Sequence, residues 1–253
     1  MDFNRVCKIL EDLHKKGVKI VIFEGGEPLL WKDEKSGKNI SDVLQYAKTL
    51  FFYCGVTTNG TVNIDIAQSN ADVVFVSVDG IGKTHDSIRG KSFDRLVKNL
   101  KSHKGKSKII ANICISKTNS HEIEDLVKFL NDKVYGITVQ FFYPYKNVAD
   151  VMLPDKEKEV VLKKLVKLKQ NGYRILNSQA CLMKMSRNRW RCADFLICNV
   201  EKTGSTSFGC YLKKKVDKVI CAQCGFAVHC EISLAYRLNL SAISAAVQIF
   251  WNR

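Results

Sequence analysis

The sequence predicts an α/β fold built on a parallel sheet. Five short runs rich in β-branched residues begin near residues 18, 52, 73, 108 and 137, and each is followed by a segment whose apolar residues recur with helical period. This alternation is typical of right-handed βαβ units, whose strands run parallel. Polar or glycine-rich residues follow several of the strands, which is where α/β proteins bind ligands. Periodicity alone leaves two architectures open, a partial barrel and a doubly wound sheet.

The first half of the chain supplies three of these strands. Residues 1–16 place an apolar stripe on one helical face, and Gly17 is a suitable C-terminal cap. The further elements predicted in this half are, in order, a strand at 18–23, a helix beginning at Ser41-Asp42, a strand at 52–58, a short helix through Ile64, Ile66 and Ala67, a strand at 73–78, and a helix with Phe93, Leu96, Val97 and Leu100 inward.

The second half continues the alternation and then abandons it. Its predicted elements are a strand at 108–116, a helix at 122–131, a strand at 137–142, a helix at 157–170 and a possible strand at 173–176. Near Ala180 the alternation stops and cysteines become frequent. We therefore expect three parts: a barrel-like domain over 1–150, a bridge over 151–180 and a small cysteine-rich extension over 181–253.

Composition limits the class of protein. Hydrophobic residues make up 46% and charged residues 26% of the 253 residues, as in ordinary globular proteins. No apolar run reaches the roughly 18 residues of a membrane-spanning helix, and the first residues lack the layout of a signal peptide, so we expect a cytoplasmic protein. The net charge of +15 raises nucleic-acid binding as an alternative. Because lysines alternate with packing leucines on the predicted helix 157–170, a solvated helix face is the preferred interpretation.

The first strand ends in an unusual turn, Phe23-Glu24-Gly25-Gly26-Glu27-Pro28-Leu29-Leu30. Two adjacent glycines leave the backbone N–H and C=O groups uncovered, so that a ligand can approach closely. Glu27 offers a carboxylate to a ligand amine, and Pro28 stiffens the exit from the turn. Glycine pairs alone are common after strands, but the whole string is much rarer.

Other predicted strands also end in polar residues. These ends are Thr57-Thr58-Asn59-Gly60, Ser77-Val78-Asp79-Gly80 and Ser116, while Asn112 lies within its strand and is able to point inward. Asn-Gly and Asp-Gly pairs also make simple turns, which is the alternative. Polar ends repeated along one edge of a sheet favour a binding site.

Two strings together resemble the radical S-adenosylmethionine (radical SAM) superfamily, in the branch with SPASM or twitch extensions. They are Gly25-Gly26-Glu27-Pro28-Leu29-Leu30, and Ser77-Val78-Asp79-Gly80 followed by His85-Asp86-Ser87-Ile88-Arg89-Gly90. The resemblance covers residues 1 to about 145. It implies a partial (β/α)6 TIM-like barrel that lacks its first strand. The residues it implies in cofactor binding are Gly25, Gly26, Glu27, Pro28, Asn59, Ser77, Asp79 and Asn112.

Residues 85–89 also have simpler interpretations. Arg89 is expected to be structural or to pair with a carboxylate or phosphate. His85 and Asp86 suggest acid–base chemistry, but capping of the helix near Phe93 or hydrogen bonding within a loop is the preferred interpretation.

The resemblance also shows a departure. Radical SAM enzymes carry Cys-x3-Cys-x2-Cys ahead of the Gly-Gly-Glu turn, and only Cys7 precedes Gly25. One expectation is therefore an N-terminally truncated or mis-started enzyme, inactive as it stands. The complete enzyme would cleave SAM to a 5′-deoxyadenosyl radical, with an electron donor such as ferredoxin or flavodoxin and an unknown substrate. The alternative is a non-catalytic metal-binding or scaffold protein that kept the fold.

Seven of the ten cysteines fall between Cys181 and Cys230. In a reducing compartment such a cluster indicates metal ligands, whereas Cys7, Cys54, Cys114 and Cys181 are interpreted as packing residues. Cys-x2-Cys turns bring two thiolates to one metal. The predicted ligands are Cys210, Cys221, Cys224 and Cys230, with Cys198 as the rival of Cys210.

By the resemblance these ligands would hold one auxiliary [4Fe–4S] cluster, and Zn²⁺ is the alternative. The Gly204–Cys210 spacing is one residue longer than the family form. Leu234 stands where a further cysteine is expected.

Overall fold

Five parallel strands form the main sheet of the computed structural model, which describes residues 1–65, 70–144, 149–216 and 218–251. The strands are β1 (Ile20–Phe23), β2 (Tyr53–Thr58), β3 (Val73–Ser77), β4 (Lys108–Ile115) and β5 (Gly136–Phe141). They lie in the sheet in chain order, and all four pairings are parallel. A doubly wound sheet reverses its strand order at a switch point. The unreversed order therefore selects the partial barrel.

Helices connect the strands and continue beyond them. They are α1 (Phe3–Lys15), α2 (Ile40–Leu50), α3 (Lys83–Arg89), α4 (Phe93–Ser102), α5 (Ile123–Leu130), α6 (Asp155–Gln170), α7 (Gln179–Met185), α8 (Ala227–Tyr236) and α9 (Leu240–Phe250). A small antiparallel hairpin, β6 (Cys198–Val200) and β7 (Thr206–Phe208), lies between α7 and α8. Within the described ranges, no helix combines the length and the apolar character that a membrane crossing requires.

The structure confirms every predicted strand up to β5, and it corrects three details. The cap of α2 is Asn39 rather than Ser41-Asp42: the Asn39 side chain accepts from the Ser41 N–H at 2.8 Å, and Asp42 accepts from the Asn39 N–H at 2.9 Å. This reciprocal capping box satisfies two backbone donors. The possible strand at 173–176 is reduced to one parallel bridge between Ile137 and Ile175. The third correction is α3, which sequence analysis left out.

The short helix predicted through Ile64, Ile66 and Ala67 falls mostly outside the described residues; Ile64 is buried.

The two faces of the sheet differ in character. On the outer face, strand residues such as Val56, Val74 and Ile113 share one core with the helices. On the inner face, Tyr53, Val73, Ile110 and Leu176 form a second apolar cluster, against which Phe250 packs. Toward the carboxyl ends of the strands the inner face becomes polar. The barrel interior is thus closed at one end and lined by polar groups at the other.

The C-terminal segment packs on the barrel. Helices α7, α8 and α9 contact one another, and Leu182, Cys230 and Leu234 belong to the same core as the sheet. The expected boundary near residue 180 stays a prediction, because the apolar core is continuous across it.

Gly225 connects the cysteine-rich segment to the sheet. Its carbonyl oxygen accepts a hydrogen bond from the N–H of Phe141, at the carboxyl end of β5, at 2.9 Å. A Cβ atom on Gly225 would overlap the carbonyl group of Phe141. The loop that carries Cys221 and Cys224 therefore lies against the sheet only if this residue has no side chain.

We predict that Gly225→Ala lowers the free energy of unfolding by about 1–3 kcal/mol, because the clash is with backbone and has to be relieved by moving the loop. Urea denaturation of the two proteins measures this difference. Val228→Ala, at an exposed site three residues away, is the control and is expected to change stability by no more than about 0.5 kcal/mol. A variant G225A as stable as the wild type would show that the loop does not depend on this contact.

Candidate functional site

The turn after β1 exposes its backbone. Gly25 and Gly26 have φ angles of 92° and 60°, in the left-handed region that glycine adopts without strain. No atom of the described residues lies within 4 Å of the position that a Cβ would occupy on either glycine, apart from their chain neighbours. Both residues are exposed. Peptide groups at this turn are therefore accessible to a ligand.

The carboxylate of Glu27 ties this turn to the end of β2. Its Oε1 accepts from the Thr58 hydroxyl at 2.8 Å and from the Leu29 N–H at 3.1 Å, and its Oε2 accepts from the Asn59 N–H at 2.8 Å. Pro28 is buried and begins a short 3-10 helix, Pro28–Leu30. Because three protein donors already use the carboxylate, the role of Glu27 as acceptor for a ligand amine remains a prediction.

Asn59 reaches the site through its backbone. Its side-chain oxygen accepts from the N–H and the hydroxyl of Thr61, at 2.9 and 2.7 Å, which is the local geometry of an Asx turn. Its backbone N–H is the group that meets Glu27. The turn-forming interpretation of Asn59 is therefore the one that the structure displays.

Asp79, after β3, holds a place like that of Glu27 after β1, two strands further along the sheet. Its side chain is buried; Oδ1 accepts from the Cys114 N–H at 2.8 Å, and Oδ2 pairs with Nε of Arg89 at 2.5 Å. The Asn119 amide donates to the Asp79 carbonyl at 2.9 Å. The carboxylate thus joins β3, β4 and α3, and Arg89 has the structural role that is the simpler of its two expected interpretations.

Helix α3 explains the other residues of this motif. Asp86 accepts from the N–H groups of Ser92 and Phe93, both at 2.9 Å, and so caps α4 as predicted. His85 is fully buried: Nδ1 accepts from the Asp79 N–H at 3.2 Å, and Nε2 lies 3.2 Å from the Ser92 hydroxyl. Burial lowers the pKa of His85, which favours the neutral imidazole. Sequence analysis missed this helix because its seven residues are flanked by Gly82 and Gly90.

A polar row crosses the inner face near the carboxyl ends of the strands. Ser77, Asn112 and Thr138 are aligned across β3, β4 and β5, and the Thr138 hydroxyl donates to Asn112 Oδ1 at 3.2 Å. Cys114 and Gln140 form the next row. All of these except Ser77, which is 8% exposed, are partly open to solvent.

Three residues of these rows correct or extend the sequence-based expectation. Cys114 was expected in the core and instead lies on the inner face, where burial raises its pKa to about 12. Thr138 and Gln140 were not predicted. Their alternation with Ile137, Val139 and Phe141 on β5 is the signal that identifies the inner face.

Four cysteine thiols lie close enough to influence one another. Burial, followed by the charges of Cys210, Cys192 and Cys221, raises the pKa of Cys224 to about 11. Burial raises the pKa of Cys192, and the charges of Cys210 and Cys221 add to this effect. Burial also raises the pKa of Cys210, and the charge of Cys221 again adds to it. The Cys192 sulfur lies 3.6 Å from Nδ1 of His229. We call Cys192, Cys210, Cys221 and Cys224 the thiol group.

Two predicted ligands lie apart from the thiol group. Cys230 is fully buried in α8 and interacts with Cys181, whose sulfur is 3.5 Å from that of Met185. Cys198 lies on β6, where the charge of Lys16 affects it. The described residues contain no set of three or more histidine, cysteine or acidic side chains in metal-binding geometry. The ligand set therefore stays a prediction. Cys192, a further candidate in the sequence that is not among the predicted ligands, joins the thiol group in the structure.

Comparison with known proteins agrees with the resemblance seen in the sequence motifs. The sequence profile of the Radical SAM superfamily matches residues 1–130. Pre-heme d1 synthase of Dinoroseobacter shibae is 30% identical over 132 residues, which are 49% of this chain and 31% of that protein. Fe-coproporphyrin III synthase of Methanosarcina barkeri is 28% identical over 133 residues, 49% and 32% of the two chains. The chain therefore matches about a third of the length of these relatives.

A solved structure shares the fold. The crystal structure of Streptococcus suis SuiB bound to S-adenosylmethionine aligns with a TM-score of 0.58 at 16% identity, covering 69% of this chain and 42% of that one. At this identity the likeness shows a shared barrel fold and does not extend to the activity of SuiB.

We predict that His85 makes stability depend on pH. Because burial lowers its pKa below the ordinary value of 6.5, the unfolded chain binds a proton more readily. The contribution of the buried neutral His85 to the free energy of unfolding is therefore complete above pH 6.5. It is lost as the pH falls from there toward the pKa of His85 in the folded protein. His85→Asn keeps an acceptor for the Asp79 N–H and removes the titration, so the difference in unfolding free energy between the two proteins should shrink as the pH is lowered from about 7.5 to 5.

Urea denaturation at a series of pH values measures this difference. His121→Asn, at an exposed site, is the control and should follow the wild type. Parallel pH profiles for wild type and H85N would contradict the prediction.

Proposed function

Because the chain belongs to the radical SAM superfamily, we propose that it binds S-adenosylmethionine at the carboxyl ends of β1 to β4 and holds a thiolate-bound metal group in its C-terminal segment. The observation that carries the first part is the Gly25–Gly26 turn, whose exposed backbone is fixed to β2 by Glu27. The observation that carries the second is the thiol group.

The residues at the sheet edge fit a cofactor with an amino acid end and a nucleoside end. The open peptide groups of the turn offer carbonyl oxygens to an ammonium group, because no side chain covers them. The polar row of Ser77, Asn112 and Thr138 offers hydroxyl and amide groups to carboxylate or ribose oxygens. Asp79 and Glu27 act as positioning residues, since each carboxylate already holds two strand ends together.

The catalytic cluster of the superfamily does not fit this chain. In the family a [4Fe–4S] cluster on Cys-x3-Cys-x2-Cys reduces S-adenosylmethionine to a 5′-deoxyadenosyl radical, and residues 1–253 contain no such string. Cys7, on α1, is the single cysteine ahead of the Gly-Gly-Glu turn. We therefore expect residues 1–253 alone to bind the cofactor without cleaving it. The second candidate is a non-catalytic binding protein with the same fold.

The thiol group supplies the ligand type of a thiolate-bound cluster or Zn²⁺, although the described side chains are not arranged in metal-binding geometry and would have to move closer together to bind either one. Four sulfur ligands satisfy either group, and the bound metal would keep the thiolates deprotonated against the effect of burial. Lys158 is buried beside them, with Nζ 5.2 Å from the centre of the Phe141 ring. Burial lowers the pKa of Lys158, while negative charge on Asp155 and Cys224 raises it. A cation in this place offsets part of the negative charge of a thiolate-bound cluster. We propose an auxiliary [4Fe–4S] cluster on Cys192, Cys210, Cys221 and Cys224.

We predict that Glu27→Gln weakens S-adenosylmethionine binding at least tenfold and lowers the unfolding free energy by about 2–3 kcal/mol, because an amide cannot accept from all three donors and leaves one unpaired. Equilibrium dialysis with radiolabelled S-adenosylmethionine measures the affinity. Glu34→Gln, an exposed site in the following loop, is the matched control with the same loss of charge.

Dithionite and chromatography for 5′-deoxyadenosine separate binding from cleavage in the same samples. Binding without 5′-deoxyadenosine is the expected result for this chain. No measurable binding by the wild type, or equal affinity in E27Q and E34Q, would contradict the proposed site.

We predict that Cys192→Ser, Cys210→Ser, Cys221→Ser and Cys224→Ser each reduce bound iron after anaerobic reconstitution to less than half of the wild-type content, since a cluster loses affinity with a missing thiolate. Cys198→Ser and Cys230→Ala should retain it. Iron and sulfide analysis with electron paramagnetic resonance measures the content. Iron lost from C230A but retained by C192S would instead support the set Cys210, Cys221, Cys224 and Cys230. If the protein purified from its own cells contains zinc instead of iron, the bound group is Zn²⁺ and not an iron–sulfur cluster.

A further inference from the structure

A second site of different character lies between the end of α7 and the end of α8. A cavity of about 210 Å³ opens there, lined by Lys184, Arg189, Trp190, Arg191, Ser233, Leu234 and Arg237. Four of these seven residues are cationic, and none is acidic. Three of the chain's nine arginines line this one cavity, although lysine is the commoner cation elsewhere. We call this cavity the arginine pocket.

The cations of the arginine pocket have no carboxylate partners within the part of the chain that the structure describes. Among the residues that the structure describes, none of Lys184, Arg189, Arg191 and Arg237 forms an ion pair. The guanidinium group of Arg237 instead donates to the Arg191 carbonyl at 3.3 Å, which keeps two of the cationic residues together. Like charges gathered in one place repel each other, and a bound anion removes that cost.

One residue that lines the pocket, Trp190, carries an unused hydrogen-bond donor. The indole Nε1 of Trp190 is covered by protein and has no hydrogen-bond partner within the described ranges. Indole nitrogen donates only, and a buried tryptophan N–H usually finds an acceptor. An acceptor brought by a ligand would satisfy it, once one of the flexible lining side chains has shifted.

Local structure fixes the segment that carries Trp190 and two of the arginines. Asn188 has a left-handed φ of 48°, so the chain turns back directly after α7 and presents residues 189–191. The Asn188 amide donates to the Ala222 carbonyl at 2.5 Å, and the Arg189 N–H donates to the Lys184 carbonyl at 3.2 Å. The turn is therefore held at both sides by hydrogen bonds.

We propose that the arginine pocket binds a phosphate group. Arginine forks match the oxygens of phosphate in two parallel hydrogen bonds, and a phosphate monoester carries about 1.5 to 2 negative charges, which suits four cations better than a single carboxylate. The cavity is smaller than the about 300–1,000 Å³ of sites for drug-sized ligands, so one phosphate-bearing group fills it. The phosphate belongs either to a small phosphate ester or to the backbone of a nucleic acid.

The test is isothermal titration calorimetry of the full chain at low ionic strength, with inorganic phosphate as the probe. Arg191→Gln should raise the dissociation constant about 10- to 100-fold, because a charged hydrogen-bonded contact is lost. Arg187→Gln removes the same charge from an exposed residue of the same segment that does not line the pocket. It should change the constant less than twofold.

Trp190→Phe gives a readout that a purely structural role would not move. The variant keeps an aromatic ring and removes the N–H with its five-membered ring. It should weaken phosphate binding several-fold while the urea midpoint changes little, since the lost donor has no partner among the described residues. A falling midpoint with unchanged phosphate affinity would overturn the role of Trp190 in binding.

Three outcomes would overturn the proposal as a whole. They are no saturable phosphate binding, equal weakening by R187Q and R191Q, and acetate that binds as tightly as phosphate. Adenosine monophosphate and a single-stranded RNA oligonucleotide, titrated in the same way, distinguish the two sources. A small ester is the source if the monophosphate binds at least as tightly as the oligonucleotide. A nucleic-acid backbone is the source if affinity rises with oligonucleotide length and falls steeply with salt.

Discussion

The carboxylate of Glu27 accepts hydrogen bonds from two strand ends at once, and the geometry of the candidate cofactor site follows from it. Parallel strands stop at this edge with backbone donors that no neighbouring strand satisfies, and these donors need partners wherever water is excluded. Glu27 is the acceptor for the Leu29 N–H in the turn after β1 and for the Asn59 N–H directly after β2. Asp79 does the same for β4 while it pairs with Arg89. Two acidic side chains thus hold the sheet edge, and the glycine turn stays free for a ligand.

The rest of the molecule directs a ligand to that edge. Tyr53, Val73 and Ile110 fill the opposite end of the inner face, and Phe250 of α9 packs against them. The polar row of Ser77, Asn112 and Thr138 is therefore approached from the carboxyl ends of the strands. The C-terminal segment closes one end of the interior with α9, and it brings the thiol group to the other end through the Gly225–Phe141 hydrogen bond. A displacement of the loop that carries Cys221 and Cys224 would accordingly also displace the end of β5.

Local patterns were sufficient to predict the five strands, the glycine turn and the capping role of Asp86. These features depend on neighbours a few residues away, and their period or composition is visible in the sequence. The pattern also gave three members of the thiol group, Cys210, Cys221 and Cys224. Cys192 lies about 30 residues before Cys221 and Cys224, and tertiary packing rather than local spacing brings its charge near theirs. The role of Cys230 stays a prediction: its spacing from Cys224 suggests a ligand, while the structure places it in α8 with its side chain buried in the core. The residues of the arginine pocket are spread between positions 184 and 237, so no single segment of the sequence predicts it.

Hydrogen–deuterium exchange with and without S-adenosylmethionine tests the central claim most directly, because it locates binding on the backbone without requiring turnover. We expect slower exchange in residues 23–30 and 57–60 when the cofactor is bound, with smaller changes at 111–116. Unchanged exchange in these segments at a saturating concentration, or protection confined to residues 181–237, would contradict it.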